Sequence, residues 1–266
     1  MTQRAAVLGS PIQHSLSPAL HLAAYAGLGI DATYEAIEVH RGELESFLRT
    51  CDESWIGLSL TMPLKEEAVA VAVECEPIVT SLGVANTLLP GPRGWRACNT
   101  DIAGIVNAIG VVDAHSASVL GAGASARSAL AALAVLGVRH VELRARRLQQ
   151  AQEGVALANE LGLDATALEL TTTTTLEDVE LCISTLPPHA ADGVEVEGSC
   201  GTLLDIAYDP WPSRLAVTWL EHGGRVVAGH EMLLHQAVEQ VRLMTGRDPD
   251  VTQMRRGMEA ELARRG

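Results

Sequence analysis

The chain has 266 residues, enough for one large domain or two modest ones with an ample core. Its 19 basic and 33 acidic residues leave a net charge of −14, which argues against a nucleic acid or an anionic membrane as partner. The five cysteines (Cys51, Cys75, Cys98, Cys182, Cys200) are scattered and odd in number, with neither zinc spacing nor a disulfide framework, and no metal site is expected.

Ala5 to Leu8 predicts a short buried strand ended by Gly9. No signal-peptide-like apolar core precedes it, and no run approaches the roughly 18 apolar residues of a membrane span; the expected setting is soluble and cytoplasmic. Ser17-Pro18 predicts a helix start, Ser17 as N-cap and proline in the first turn, with Gly29 ending the helix. Thr33 to Val39 alternates like a strand, Glu43 to Leu48 reads as a short helix, Trp55 to Leu60 as a strand, and Lys65 to Val73 as a helix. This β-α-β-α-β series predicts a parallel α/β sheet. Ala85 to Leu89 and Trp95 to Cys98 flank the turn residues 90–94 as two further strands. Ile102 to Ile109 has helical spacing, and a domain boundary is expected near residue 103.

Next comes the strand Ala117 to Leu120, then Gly121-Ala122-Gly123-Ala124-Ser125-Ala126, then a helical pattern to Gly137. Strand, glycine turn and helix in that order form a dinucleotide-binding fingerprint. The glycines allow a tight turn and close approach to a pyrophosphate, and the helix N-terminus offers N–H groups to it. His140 to Leu143 reads as the second strand of this unit and Gln149 to Leu161 as its second helix. Leu181 to Ser184, Thr202 to Ile206 and Arg225 to Ala228 read as further strands, with a helix over 215–222. Thr171 to Thr175 is expected to be a surface loop, and helices over 231–245 and 251–264 close the chain.

Where an NAD site carries an acidic residue after its second strand, this chain has Arg144-Ala145-Arg146-Arg147. A carboxylate repels a 2′-phosphate, whereas guanidinium groups bind it through charge-assisted bonds. The arginines therefore point to NADP, and Arg127 in the first helical turn is a candidate to add to the phosphate grip. Two further clusters follow the first and third strands. Ser15 and Ser17 place hydroxyls near a helix N-terminus, suitable for a carboxylate, although capping alone also accounts for Ser17. Thr61-Met62-Pro63-Leu64-Lys65 offers a lysine able to serve as acid or base, and Asp101 is a carboxylate that could pair with it.

These residues resemble one family, the shikimate dehydrogenases. Its Gly-x-Pro-x-x-His-Ser-x-Ser-Pro pattern is similar to Gly9 to Pro18, and its Thr-x-Pro-x-Lys to Thr61 to Lys65. Its Ala-Asn-Thr matches Ala85 to Thr87, its Asn-Thr-Asp Asn99 to Asp101, and its Met-Leu-x-x-Gln Met232 to Gln236. The resemblance implies an α/β chain of two domains. One is an N-terminal parallel-sheet substrate domain (1–103 plus 231–266, the C-terminal helices returning to it); the other is a Rossmann-type NADP-binding domain (104–230). It implies NADPH-dependent, reversible reduction of 3-dehydroshikimate to shikimate, on the route to aromatic amino acids. Lys65 and Asp101 would be the catalytic pair; Ser15 and Ser17 would bind the substrate carboxylate, and Thr61, Asn86, Tyr208 and Gln236 the ring and its hydroxyls. Gly121 to Ala126, Arg144 to Arg147, Thr185, Ile206, Gly229 and Met232 would line the cofactor. The implied partners are the small-molecule substrate and NADP, with the chain a monomer or homodimer.

Departures from the family pattern are Ser184-Thr185-Leu186-Pro187 in place of Asn-x-Thr, Ser59 where asparagine is common, Arg147 for a threonine, and Cys98 before Asn99. An NAD-preferring quinate/shikimate dehydrogenase would be expected to carry an acid near position 145 or 146. A non-catalytic binding regulator on the same scaffold would be expected to have lost Lys65 or Asp101.

Overall fold

The computed structural model describes residues 2–265. The chain divides into two compact units: the first runs to Thr100 and resumes at Leu233, and the second is Asp101–Met232.

In the first unit a sheet of order β2-β1-β3-β5-β6-β4 is built from β1 (Gln3–Gly9), β2 (Ala32–Glu38), β3 (Trp55–Leu60), β4 (Glu74–Cys75), β5 (Thr87–Gly91) and β6 (Gly94–Cys98). β1 lies between β2 and β3 and is parallel to both, so it is buried on both faces from Ala5 to Gly9. Edge strand β2 buries only Tyr34. β5 runs antiparallel to β3 and to β6; for β6 the short turn at Pro92-Arg93 demands it, because a parallel pair needs a long crossover. β4 and the short α4 (Pro77–Leu82) fall where no sequence period was legible.

The helices differ from expectation at two functional positions. α1 (Ser17–Leu28) has Leu16 as its N-cap and no side-chain cap; Ser17 is already helical, and its N–H donates to Ser15 Oγ at 3.3 Å. α3 (Glu67–Val71) starts two residues later than predicted, which leaves Lys65 in the turn after β3. α2 (Leu44–Leu48) lies between β2 and β3. α10 (Val251–Arg265) packs on α1, where a Cβ at Gly257 would press on Ala23 Cβ at 2.7 Å, so glycine sets the close approach.

The second unit holds six strands: β7 (Ser116–Leu120), β8 (His140–Ala145), β9 (Asp164–Glu169), β10 (Thr175–Ser184), β11 (Glu195–Asp205) and β12 (Arg225–Ala228). They pair in the order β12-β11-β10-β7-β8-β9, every neighbour parallel. This is the doubly wound dinucleotide-binding order, whose switch point lies between β7 and β10. α5 (Asp101–Ile109), α6 (Ala124–Val135) and α7 (Leu148–Glu160) contribute to an aliphatic cluster with Val119, Val141, Leu143 and Ile183 from the sheet. α8 (Arg214–Glu221) belongs to a second cluster with Leu120, Cys182 and Leu203. The threonine run is a turn only to Thr174, which is buried and whose Oγ1 accepts from Thr171 N–H at 2.9 Å; Thr175 begins β10. α9 (Gly229–Thr245) starts in this unit, and the division falls within it after Met232.

Trp219 on α8 is fully buried and donates its indole N–H to Gly201 O at 3.2 Å. Trp219→Ala removes the largest buried side chain of this unit together with its hydrogen bond to that carbonyl. The expected loss is about 3–5 kcal/mol of unfolding free energy, measured by denaturant titration.

Among the described residues no helix is long and apolar enough to cross a membrane, and no group of three or more His, Cys, Asp or Glu is placed to hold a metal. All five cysteines are free thiols; burial pushes Cys51 up to about 11 and Cys98 up to about 12, so neither is a thiolate nucleophile at neutral pH.

Candidate active site

In the first unit the loops after β1 and β3 lie side by side because their strands are neighbours. Thr61 N–H donates to Leu8 O and Ser10 N–H to Met62 O, both at 2.9 Å. Glycine is required at position 9, where a Cβ would run into the Thr61 side chain and the Met62 carbonyl. The far end of the first loop is held by a residue with no sequence signal, Arg265. Its guanidinium donates to His14 O at 2.7 Å and Ser15 O at 3.0 Å. Glu261 bonds Arg265 and Arg264, and these two guanidiniums hold its carboxyl down at about 2.

Ser17 is buried at the start of α1, above His21 and Tyr34. The His21 ring stacks on Tyr34 with centroids 3.9 Å apart, and its Nδ1–H donates to Ser17 O at 2.9 Å. Complete burial lowers the His21 pKa to about 4. A neutral His21 therefore supports the fold fully above pH 6.5, its ordinary value, and the support is lost as pH falls from 6.5 towards 4. The expected size is about 3 kcal/mol across that window. Melting curves from pH 7 to 4 should show a shallower pH slope for His21→Phe, which keeps the stacking but cannot be protonated.

Asn86, Thr100 and Gln236 form one buried cluster. Asn86 Nδ2 donates to Thr100 Oγ1 at 2.9 Å and to Gln236 Oε1 at 3.2 Å, while Thr100 N–H donates to Asn86 Oδ1 at 2.8 Å. Gln236 is oriented by its own Nε2–H, which donates to Leu233 O at 2.9 Å. Lys65 is half-buried, and its carbonyl accepts from Ala85 N–H at 2.8 Å, which ties the lysine turn to the residue before Asn86. Asp101 follows Thr100 directly and is the buried first residue of α5.

In the second unit the glycine turn follows β7 and the Thr185 turn follows β10, on either side of the switch point. Gly121 has φ +107°, and a Cβ there would strike Thr185 Oγ1. That hydroxyl donates to Leu120 O at 2.9 Å, so the loop that departs from the family pattern is pinned to the glycine turn. Gly123 precedes α6 and is exposed, with open space where a Cβ would stand. Ala124, Ser125 and Ala126 form the first turn, whose N–H groups have no acceptor within the helix. Gly229 is equally constrained, since a Cβ would press on Ile206 O. Tyr208 and Ile206 are half-buried in the segment after β11. Asp205 anchors that segment by accepting from Ser213 Oγ at 2.5 Å, and Ser213 in turn caps α8; burial pushes the Asp205 carboxyl up.

The three arginines separate. Arg146 is exposed just past Ala145, the last residue of β8, and exposed Arg147 is the N-cap of α7. Arg144, expected beside them at the cofactor, instead has its guanidinium on Glu142 at 2.7 Å, with its side chain only 17% exposed. It lines a polar groove of about 580 Å³ with Ser116, Asp164 and Glu177. Position along the strand is the reason: Arg144 is inside β8, where alternation gives it a shared face with Glu142, whereas Arg146 and Arg147 are beyond the strand end.

The structure thus joins Asn86 to Gln236, sets Thr61 against the Gly9 loop, links Ser15 to Ser17 and seats Thr185 on Gly121. Thr100, Gln240, Asp205 and Arg265 were missed as site supports. For Gln240 a signal existed: it lies four residues from Gln236 on a helix face otherwise filled by Ala237, Val241 and Met244.

Family models match twice: the shikimate dehydrogenase substrate binding domain over residues 7–88, and the shikimate 5′-dehydrogenase C-terminal domain over residues 229–258. The shikimate dehydrogenase (NADP(+)) of Thermus thermophilus is 35% identical over 266 residues, 98% of each chain. The crystal structure of Mycobacterium tuberculosis shikimate dehydrogenase superposes with a TM-score of 0.87 at 38% identity, covering 97% of this chain and 99% of that one. A shikimate 5-dehydrogenase of Thermus thermophilus, solved in complex with NADP(H) and shikimate, gives a TM-score of 0.82 at 31% identity over 97% of this chain and 99% of its own. With this identity spanning almost the whole length, the chain belongs to the shikimate dehydrogenase family of oxidoreductases.

Proposed function

We propose that the chain catalyses the reversible reduction of 3-dehydroshikimate to shikimate with NADPH, as a cytoplasmic enzyme of aromatic amino-acid biosynthesis. The observation that carries this reading is the buried Asn86–Thr100–Gln236 cluster. It draws together motifs 14 and 150 residues apart into one hydrogen-bonded group beside the lysine turn. Each of these buried polar groups must recover in hydrogen bonds the hydration it loses, and they do so with one another, on the residues that match the family motifs.

In this reading the hydroxyls of Ser15 and Ser17 receive the substrate carboxylate, in a loop that Arg265 clamps from behind. Thr61, Asn86, Tyr208 and Gln236 hold the ring and its hydroxyls. Lys65 donates a hydrogen bond to the carbonyl oxygen and hands it a proton as negative charge develops there. Asp101 orients Lys65 and accepts from a neighbouring substrate hydroxyl.

The residues of the second unit fit a dinucleotide phosphate. Gly121 takes a conformation that side chains rarely adopt, Gly123 leaves open space at a helix N-terminus, and Arg146 and Arg147 are exposed where a 2′-phosphate needs cations. Gly121 to Ala126 would hold the pyrophosphate, Arg146 and Arg147 the 2′-phosphate, and Thr185, Ile206, Gly229 and Met232 the nicotinamide side. When bound, NADPH supplies the hydride.

The test is NADPH formation by the purified chain, followed by absorbance with shikimate or quinate against NADP or NAD. Turnover confined to shikimate with NADP is the expected result. Preference for NAD, or for quinate, would overturn the assignment in favour of a broader dehydrogenase, and absence of turnover on all four pairs would sink it.

A further inference from the structure

Beneath the Asn86 cluster runs a second line of polar side chains. Tyr34 OH donates to Ser59 Oγ at 2.6 Å, and Ser59 Oγ donates to Gln240 Oε1 at 2.8 Å. Gln240 Nε2 donates to Thr87 Oγ1 at 3.0 Å and to Asn86 O at 3.3 Å. Thr87 Oγ1 donates to Asn86 Oδ1 at 3.0 Å. Strands β2, β3 and β5, the residue just before β5, and α9 supply this line. Its exposures are 4% for Tyr34, 3% for Ser59, 1% for Gln240, 0% for Thr87 and 2% for Asn86, so water cannot substitute for a missing partner.

The direction of donation follows from proton counting. Gln240 spends both amide hydrogens, one on Thr87 Oγ1 and one on Asn86 O. Thr87 has a single hydroxyl hydrogen, and because its oxygen accepts from Gln240 that hydrogen is free to go to Asn86 Oδ1. Asn86 Oδ1 then accepts from Thr87 and from Thr100 N–H, which forces Nδ2 towards Thr100 Oγ1 and Gln236 Oε1. With the Gln240 amide reversed, Oε1 would draw the Thr87 hydrogen away and Asn86 would lose one of its two orienting donors. The Ser59 hydroxyl prevents that reversal by donating to Gln240 Oε1. An asparagine amide is nearly symmetric in shape, so only such partners decide which end faces a ligand.

We propose that Gln240 is a positioning residue for substrate binding: acting through Thr87, it fixes the orientation of the Asn86 carboxamide, which directs Nδ2 at Gln236 Oε1 and so sets the polar face that this cluster presents to the substrate. This deepens the reaction proposed above and rests on it.

Three variants test it: Gln240→Met, which keeps size and loses both donors; Thr87→Val, which keeps shape and loses the hydroxyl; and Thr87→Ser, which restores the hydroxyl. Gln240→Met and Thr87→Val should each raise KM for shikimate about 5- to 30-fold, with KM for NADP unchanged. Thr87→Ser should return close to the parent value, and the Gln240→Met/Thr87→Val double variant should be no worse than the poorer single, because both cut one line. An unchanged shikimate KM in Gln240→Met, a matching rise in both KM values, or equal impairment in Thr87→Ser and Thr87→Val would overturn it. The side-chain NH₂ signal of Asn86 in ¹⁵N–¹H spectra, identified by its loss in Asn86→Ser, gives a readout independent of turnover. It should move in Gln240→Met and Thr87→Val and stay in Thr87→Ser. If the parent protein does not oxidise shikimate, the reaction assignment fails while that signal still decides the role of Gln240; an unmoved signal refutes it.

Discussion

Lys65→Ala is expected to lower kcat for shikimate oxidation about 10²- to 10⁴-fold, while KM for shikimate stays near its parent value. That corresponds to about 3–5 kcal/mol of transition-state stabilisation. The side chain can be removed cleanly because the lysine turn is held by its backbone: Lys65 O accepts from Ala85 N–H at 2.8 Å, and Leu64 behind it is fully buried. Of the groups proposed to bind the carboxylate and the ring, only Thr61 shares the lysine turn, and its N–H is held by Leu8 O, so ground-state affinity should survive. Lys65→Arg adds a second distinction. Arginine keeps a positive charge but does not give up a proton at neutral pH, so a variant as poor as Lys65→Ala marks proton donation as the main contribution. Substantial recovery of kcat would mark charge instead. Steady-state kinetics in both directions provide the measurement, and a large rise in KM with kcat unchanged would contradict the role.

Arg146→Ala should raise KM for NADP by about 10- to 150-fold, the equivalent of one charge-assisted bond worth roughly 1.5–3 kcal/mol, and leave KM for NAD unaltered. The geometry separates this residue from its neighbour in strand β8. Arg144 is engaged by Glu142 and half-buried within β8, so Arg144→Ala should cost stability before cofactor selectivity. Arg146 and Arg147 are exposed past the strand end, and among the described residues neither forms an ion pair. Because the contact is exposed, the preference for NADP should weaken as salt rises. Equal use of NADP and NAD that Arg146→Ala leaves unchanged would show that the 2′-phosphate is not read there.

Much of this organisation was legible in the chain itself. The apolar run of β1 is continuous, and β3 and β7 are broken only by small residues, because those strands are buried over most of their length, and the glycine turn stands between a strand and a helix. Helix ends were less legible. Ser17-Pro18 signals a helix start, yet it does not reveal that Leu16 takes the cap and leaves the Ser17 hydroxyl for other partners. β4 and α4 are too short for any period to show. β9 was unreadable for another reason: at the sheet edge it alternates only weakly, with no fully buried residue.

The sequence by itself determined which residue types stand where chemistry is possible: a lysine after a strand, two serines near a helix start, a glycine turn and a basic run without an acid. It could do so because hydrogen-bonding capacity and charge belong to the residue type and to short local spacing. Only the tertiary structure decided how those groups are held. The packing of α9 brings Gln236 to Asn86 across 150 positions, α10 returns Arg265 to the Ser15 loop, and Glu142 holds Arg144 within β8 while Arg146 lies past the strand end. The line from Tyr34 through Gln240 to Asn86 likewise exists only once β2, β3, β5 and α9 are packed together. Such contacts depend on register and on a shared buried environment, and neither is encoded within any one segment.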